Sequence, residues 1–166
     1  MTALNSEIRF SGAYLEDELF LIEYFSLAGS LVATNQALYV YFQNPGSVTR
    51  RYLKNYVDTF FASLELKRSL VEKYSIPVSP DWENNTCWAG LLIAVSNEFA
   101  PGNRAPFSEK LSQLKKLCAE THFKNAVDNY TPVATSRNKA IVVALLRRRL
   151  HTLLAIMYTI KNRNRG

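Results

Sequence analysis

The stretch SPDWENNTCWAGLLIAVSNEF, residues 79–99, decides the fold class. Trp88, Leu91, Leu92, Val95 and Phe99 recur at intervals of three and four. That spacing stacks side chains on one face of an α-helix and is wrong for a strand, where faces alternate. Pro77 and Pro80 stop whatever precedes. Ser79 is placed to cap the new helix, with Pro80 at its first position. The pattern predicts a helix over 80–99, closed by the Pro101-Gly102 to Pro106 loop. Upstream, Leu53, Val57, Phe60, Leu64 and Val71 predict a long helix over about 50–74. Downstream, Phe107, Leu111, Leu114 and Cys118 mark another helix, and a short one follows at 121–130. Residues 131–136 read as a linker, and 138–162 as one last long helix.

The first 49 residues have a different texture. Glu16-Asp17-Glu18 opens an apolar stretch that runs to Leu27. Acids in a first turn complement the helix dipole, and Gly29 suits a stop, so a helix is expected over 15–28. Residues 31–43, LVATNQALYVYFQ, are β-branched and aromatic with a period of two. Leu38, Val40 and Phe42 face one way, Tyr39 and Tyr41 the other, and Asn35-Gln36 could turn between two short strands. Asn44-Pro45-Gly46 is a loop. The expected fold is therefore mainly α: a helical bundle following a short β-hairpin or strand region. The natural boundary lies near Thr49, dividing 1–49 from an α-helical part at 50–166. Forty-nine residues are too few for an independent mixed domain, so the first part reads as the end of something larger.

Composition agrees with a packed protein. Apolar residues make up 48% of the 166 and charged residues 20%, which is not the balance of a disordered chain. Net charge is +6, and its excess is concentrated. Residues 137–166 carry eight Lys and Arg residues and no acid. That end calls for an anionic partner: a membrane surface, nucleic acid or an acidic subunit. Cys87 and Cys118 sit at apolar helical positions and read as reduced core thiols. The N-terminus lacks the pattern of a signal peptide. The longest uncharged apolar run, Leu150 to Ile160, is far short of a span of roughly 20 residues. A cytoplasmic protein is expected, at most resting on a membrane.

Three segments in order carry a family resemblance. Ile8-Arg9-Phe10 is followed by Tyr14-Leu15-Glu16-Asp17-Glu18-Leu19-Phe20. Then come Asn35-Gln36-Ala37-Leu38-Tyr39-Val40-Tyr41 and Asn44-Pro45-Gly46-Ser47-Val48-Thr49-Arg50. Together, over roughly residues 8–50, they resemble the tail of the catalytic (GT-A) domain in family 2 glycosyltransferases that build bacterial surface polysaccharides. The resemblance implies that Asp17 is the general base toward an acceptor hydroxyl, with Glu16 orienting it or binding acceptor. It also implies an acceptor-side loop containing Ser47, Thr49 and Arg50. A sugar hydroxyl is a poor nucleophile, and a carboxylate in hydrogen-bond reach supplies base catalysis. Read without the resemblance, Glu16, Asp17 and Glu18 are an acidic helix start.

The departures from that family are informative. Phe42-Gln43 stands where the family usually has Arg or His after the strand. The family also needs an upstream nucleotide-binding half with an Asp-x-Asp motif for Mn or Mg, and no Asp-x-Asp occurs in this chain. A departing diphosphate needs a cation or fixed donors to stabilise its charge. The chain alone is therefore expected to bind no cofactor and to be inactive until a nucleotide-binding half completes it.

Other candidate sites are fewer. His122 and His151 have no ligand partners at metal spacing and read as core or surface histidines. Ser47 has no paired His that would make it a nucleophile. Rotating the last helix by about 100° per residue places Leu146, Leu150, Leu153, Ile156, Met157 and Ile160 on one face. Arg147, Arg148, His151, Tyr158 and Lys161 fall opposite. Such a helix either rests on a membrane surface or packs its apolar face on the bundle with the basic face solvated. Arg147, Arg148, His151 and Lys161 are the candidate membrane or partner contacts. Nucleic acid is the less favoured partner, because the aromatics sit at core-like positions and are not interleaved with the cations. Expected partners are the nucleotide-binding half, the inner membrane surface and a second copy of the chain. The competing hypothesis is a non-enzymatic helical interaction module, in which residues 8–49 would pack fully inside the bundle.

Overall fold

A computed structural model describes residue 8 and residues 16–37, 39–40, 52–130 and 137–163. These residues form seven helices: α1 (Glu16–Leu27), α2 (Tyr56–Lys73), α3 (Trp82–Glu98), α4 (Phe107–Ala119), α5 (Thr121–Asn129), α6 (Arg137–Arg147) and α7 (His151–Arg163). The mainly α expectation holds. No strand occurs among the described residues: 31–37 and 39–40 have no ladder, and the rest of the expected hairpin lies outside them.

The chain forms two compact units. The first combines residues up to Asn44 with Asn55–Val78, and within it α1 packs on α2. Helix α2 starts at Tyr56, later than its apolar pattern suggests. The residues just before it belong to the other unit, where the backbone of Leu53 is held by Asn97. Tyr56, Phe60, Ser63, Leu64 and Lys67 are the buried positions of α2. That face includes Tyr56 and a lysine, and leaves Val57 and Val71 half-buried. Helix α2 ends where Ser75 takes a left-handed conformation, φ 49°. The Ser75 N–H donates to the Glu72 carbonyl and the Ile76 N–H to that of Val71. These two bonds make a Schellman end, in which orphan carbonyls of the last turn are satisfied.

The second unit holds Pro45–Lys54 and everything from Ser79 onward. Helix α3 is its centre and packs on α4 and α5; α4 also packs on α7, and α6 on both α5 and α7. The predicted α3 face is largely correct: Trp88, Leu91, Val95 and Phe99 are buried, joined by Cys87 and Ala94. Leu114, Phe123, Ala126 and Leu154 are fully enclosed and complete the core. Asn residues lock the loops where apolar packing cannot. Asn97 receives the Leu53 N–H at 2.8 Å and donates back to the Leu53 carbonyl at 2.9 Å. Asn103 donates to the Glu98 carbonyl at 2.7 Å, and its own backbone carbonyl accepts from Lys110 Nζ at 2.8 Å. The buried Asn162 side chain donates to the Phe99 carbonyl at 2.7 Å, tying α7 to the end of α3. Buried backbone groups must find such partners or lose their hydration without return.

The last helix is not continuous. It breaks after Arg147, and Arg149 stands at φ 54°. The Arg149 N–H bonds to the Leu146 carbonyl and the Leu150 N–H to that of Leu145. This is a second Schellman end, with arginine where glycine is usual. The break resets the helical phase. Val142, Val143 and Leu146 are buried on α6, whereas α7 buries Leu154, Ala155, Tyr158 and Asn162. Tyr158 therefore lies inside, and Leu150, Leu153, Ile156 and Ile160, expected beside Leu146, lie outside.

Candidate functional site

Asp17 and Glu16 open α1 with Glu18, in the turn where unpaired N–H groups favour carboxylates. Asp17 is exposed, and its Oδ1 accepts the Glu18 N–H at 2.9 Å. Glu18 is engaged elsewhere: its Oε1 meets Lys67 Nζ at 2.7 Å. That lysine is buried, so the pair orients the first turn of α1 against α2. One helical turn further on, Glu23 Oε1 accepts from Lys73 Nζ at 2.9 Å and from the Tyr74 hydroxyl at 2.8 Å. These two donors hold the Glu23 carboxyl below its ordinary pKa, the lysine contributing most. Glu18 and Glu23 thus have structural partners on and just beyond α2. Asp17 faces solvent.

Ser47, Thr49 and Arg50 lie outside the described residues. Among the described residues no three His, Cys, Asp or Glu side chains come together as a metal site.

The other candidate cluster surrounds the turn between α6 and α7. Arg147 caps the end of α5: its Nε donates to the Val127 carbonyl at 3.2 Å and its Nη2 donates to the Tyr130 carbonyl. Tyr130 is itself stacked on Trp88, with ring centroids 4.5 Å apart. Arg147 is thus built into the fold. Arg148 and Arg149 are exposed in the turn. His151, half-buried, has its pKa pushed down by burial and then by the charges of Lys115 and Arg149. Both effects disfavour the imidazolium form. Lys161 is exposed on α7, with its ammonium 5.1 Å from the Tyr158 ring centre. It lies about 15 Å along the axis from His151. The turn sets Arg149 near His151, ties Arg147 to the end of α5, and leaves Lys161 at the far end of α7. Lys115, far away in sequence on α4, joins the His151 neighbourhood; no periodicity in the sequence could have signalled it.

The cysteines are core residues. Cys87 is buried, and burial raises the Cys118 thiol to about 11, far from the thiolate a nucleophile needs. No helix among the described residues is long and apolar enough to cross a membrane. Comparisons of the chain with protein families, with curated proteins and with solved structures find no match.

Proposed function

We propose that this chain is the C-terminal portion of a family 2 sugar-nucleotide glycosyltransferase that requires a nucleotide-binding half to act. One observation carries the reading: among the described residues, the large apolar side chains in the stretch directly after α1 are exposed. Leu31 is 74% exposed, Val32 88%, Tyr39 81% and Val40 70%. Leu21, Phe25 and Leu27 on α1 are exposed as well. Large apolar side chains left exposed in such number suit an interface. The two-residue period of 31–43 suits a strand or hairpin that pairs only when a larger sheet is present. An autonomous interaction module would have packed these side chains inside.

In the reaction so framed, Asp17 takes the proton of the acceptor hydroxyl as that oxygen bonds to the anomeric carbon. The bond from that carbon to the diphosphate breaks, and the nucleoside diphosphate leaves with the electron pair. Glu16 orients Asp17 or the acceptor. Stabilising the departing charge falls to the other half, which would also bring the metal. The location that goes with this role is the inner face of the membrane, where lipid-linked acceptors lie.

The test has two parts. Calorimetry of the chain with UDP-sugars and Mn²⁺ should show no binding. Joined behind the nucleotide-binding half of a family 2 enzyme, the chain should support transfer of labelled sugar. Asp17→Asn in that fusion should lower kcat by on the order of 10²–10⁴-fold. Sugar transfer by the chain alone, or an undiminished Asp17→Asn fusion, overturns the proposal.

A further inference from the structure

We infer that the outer face of α7 is a docking surface for a bilayer that contains anionic lipid, with the apolar ridge itself entering the lipid. Leu150, Leu153, Ile156 and Ile160 are exposed by 40%, 52%, 43% and 57%. On α7, Leu153, Ile156 and Ile160 lie on the side opposite the buried Leu154, Ala155 and Tyr158, so the helix is apolar on both faces; Leu150 lies just before it. Leu153 to Ile160 makes a ridge about 10 Å long. The ridge exists only because the left-handed Arg149 resets the phase of the helix.

Charge selects the occupant. Residues 137–163 contain no acid, and exposed Arg148 and Arg149 stand at one end of the ridge with exposed Lys161 near the other. Nucleic acid would answer the cations and leave the ridge wet. The surface of a bilayer answers both, with anionic headgroups lying just above an apolar phase. Helix α7 has only 13 residues, so it lies in the interface and does not span it. The choice of lipid over other anionic, apolar surfaces draws on the functional reading above; the ridge and its charges do not.

Flotation with vesicles of phosphatidylcholine alone, or with about 30% phosphatidylglycerol added, tests this on the whole chain. The expected result is binding to the anionic vesicles, weakened at least severalfold by about 0.5 M salt. The variant Leu153→Asn/Ile156→Asn/Ile160→Asn changes only exposed side chains, and it should bind roughly a hundredfold more weakly. A tryptophan at position 156 (I156W) should shift to the blue and be quenched by brominated lipid. The same change at exposed Ile93 on α3 (I93W) should not. Failure to float with anionic vesicles overturns the inference, as does unchanged binding by the triple variant. So does a ridge-dependent dimer in sedimentation without vesicle binding. None of these readouts involves a sugar nucleotide, so they can fail while the transferase reading stands, and the reverse.

Discussion

Arg149→Gly decides whether the turn before α7 is real, because the two alternatives predict opposite signs. Arg149 sits at φ 54°, where an L-residue pays roughly 1–2 kcal/mol for the close approach of its Cβ to backbone. Glycine avoids that cost but loses about 0.5–1 kcal/mol more backbone entropy on folding. The net expectation is a gain of about 0.5–1 kcal/mol. In a domain of this size that is roughly 2–4 °C in Tm for each kcal/mol. Were residues 138–162 one unbroken helix, the same change would place glycine in a helix interior and cost about 1 kcal/mol. Arg149→Ala is the control. It keeps the left-handed penalty and removes the charge, so the glycine effect should exceed it. The assay is urea unfolding followed by far-ultraviolet circular dichroism, read as the midpoint at constant slope. A lower midpoint for Arg149→Gly than for Arg149→Ala would refute the turn, and with it the exposed ridge of α7.

Two further expectations concern the second unit. Asn97→Ala strips both backbone groups of Leu53 of their partner, which should cost about 1–3 kcal/mol and speed amide exchange at Leu53. His151 titrates below its ordinary value, so its contribution to stability is complete above pH 6.5 and is lost as pH falls through the lowered folded value. Thermal stability of the wild type should therefore fall as pH drops below about 6.5, and the His151→Gln variant should show a flatter profile there.

Much of the helical framework was legible because burial and periodicity coincide. The α3 pattern was readable since Trp88, Leu91, Val95 and Phe99 are the residues that fill the core. The acidic start of α1 was equally plain, since Glu16, Asp17 and Glu18 are adjacent. What stayed hidden has long-range causes. Nothing within 48–56 announces that Leu53 will be held by a side chain 44 residues away, delaying the start of α2. Lys67 is buried against Glu18, a pairing between distant segments that no local pattern announces. Arg147-Arg148-Arg149 contains neither Gly nor Pro, and arginine is a good helix former, so local preference favoured continuity. The break comes from packing: α6 and α7 meet each other, and α7 also meets α4, which a straight helix of that length could not arrange.

That break also explains why one helical wheel for the last segment joins residues that the fold separates. A helical wheel assumes one phase, and an αL residue discards it. Carried across Arg149, the wheel gathered Leu146 with Leu150, Leu153, Ile156, Met157 and Ile160 on a single apolar face, open to either the bundle or a membrane. In the fold, Leu146 is buried while Leu150, Leu153, Ile156 and Ile160 are exposed, and Tyr158 takes the buried place. The apolar residues of α7 thus exceed what the second unit can cover, just as Leu31, Val32, Tyr39 and Val40 exceed what the first unit can cover. The two surpluses differ in kind. The first is β-branched and aromatic with a strand's period, and asks for a sheet. The second is aliphatic, helical and flanked by cations, and asks for an anionic apolar surface. A chain built to stand alone would be expected to bury both. One built to bridge a catalytic half and a lipid surface needs each of them left open.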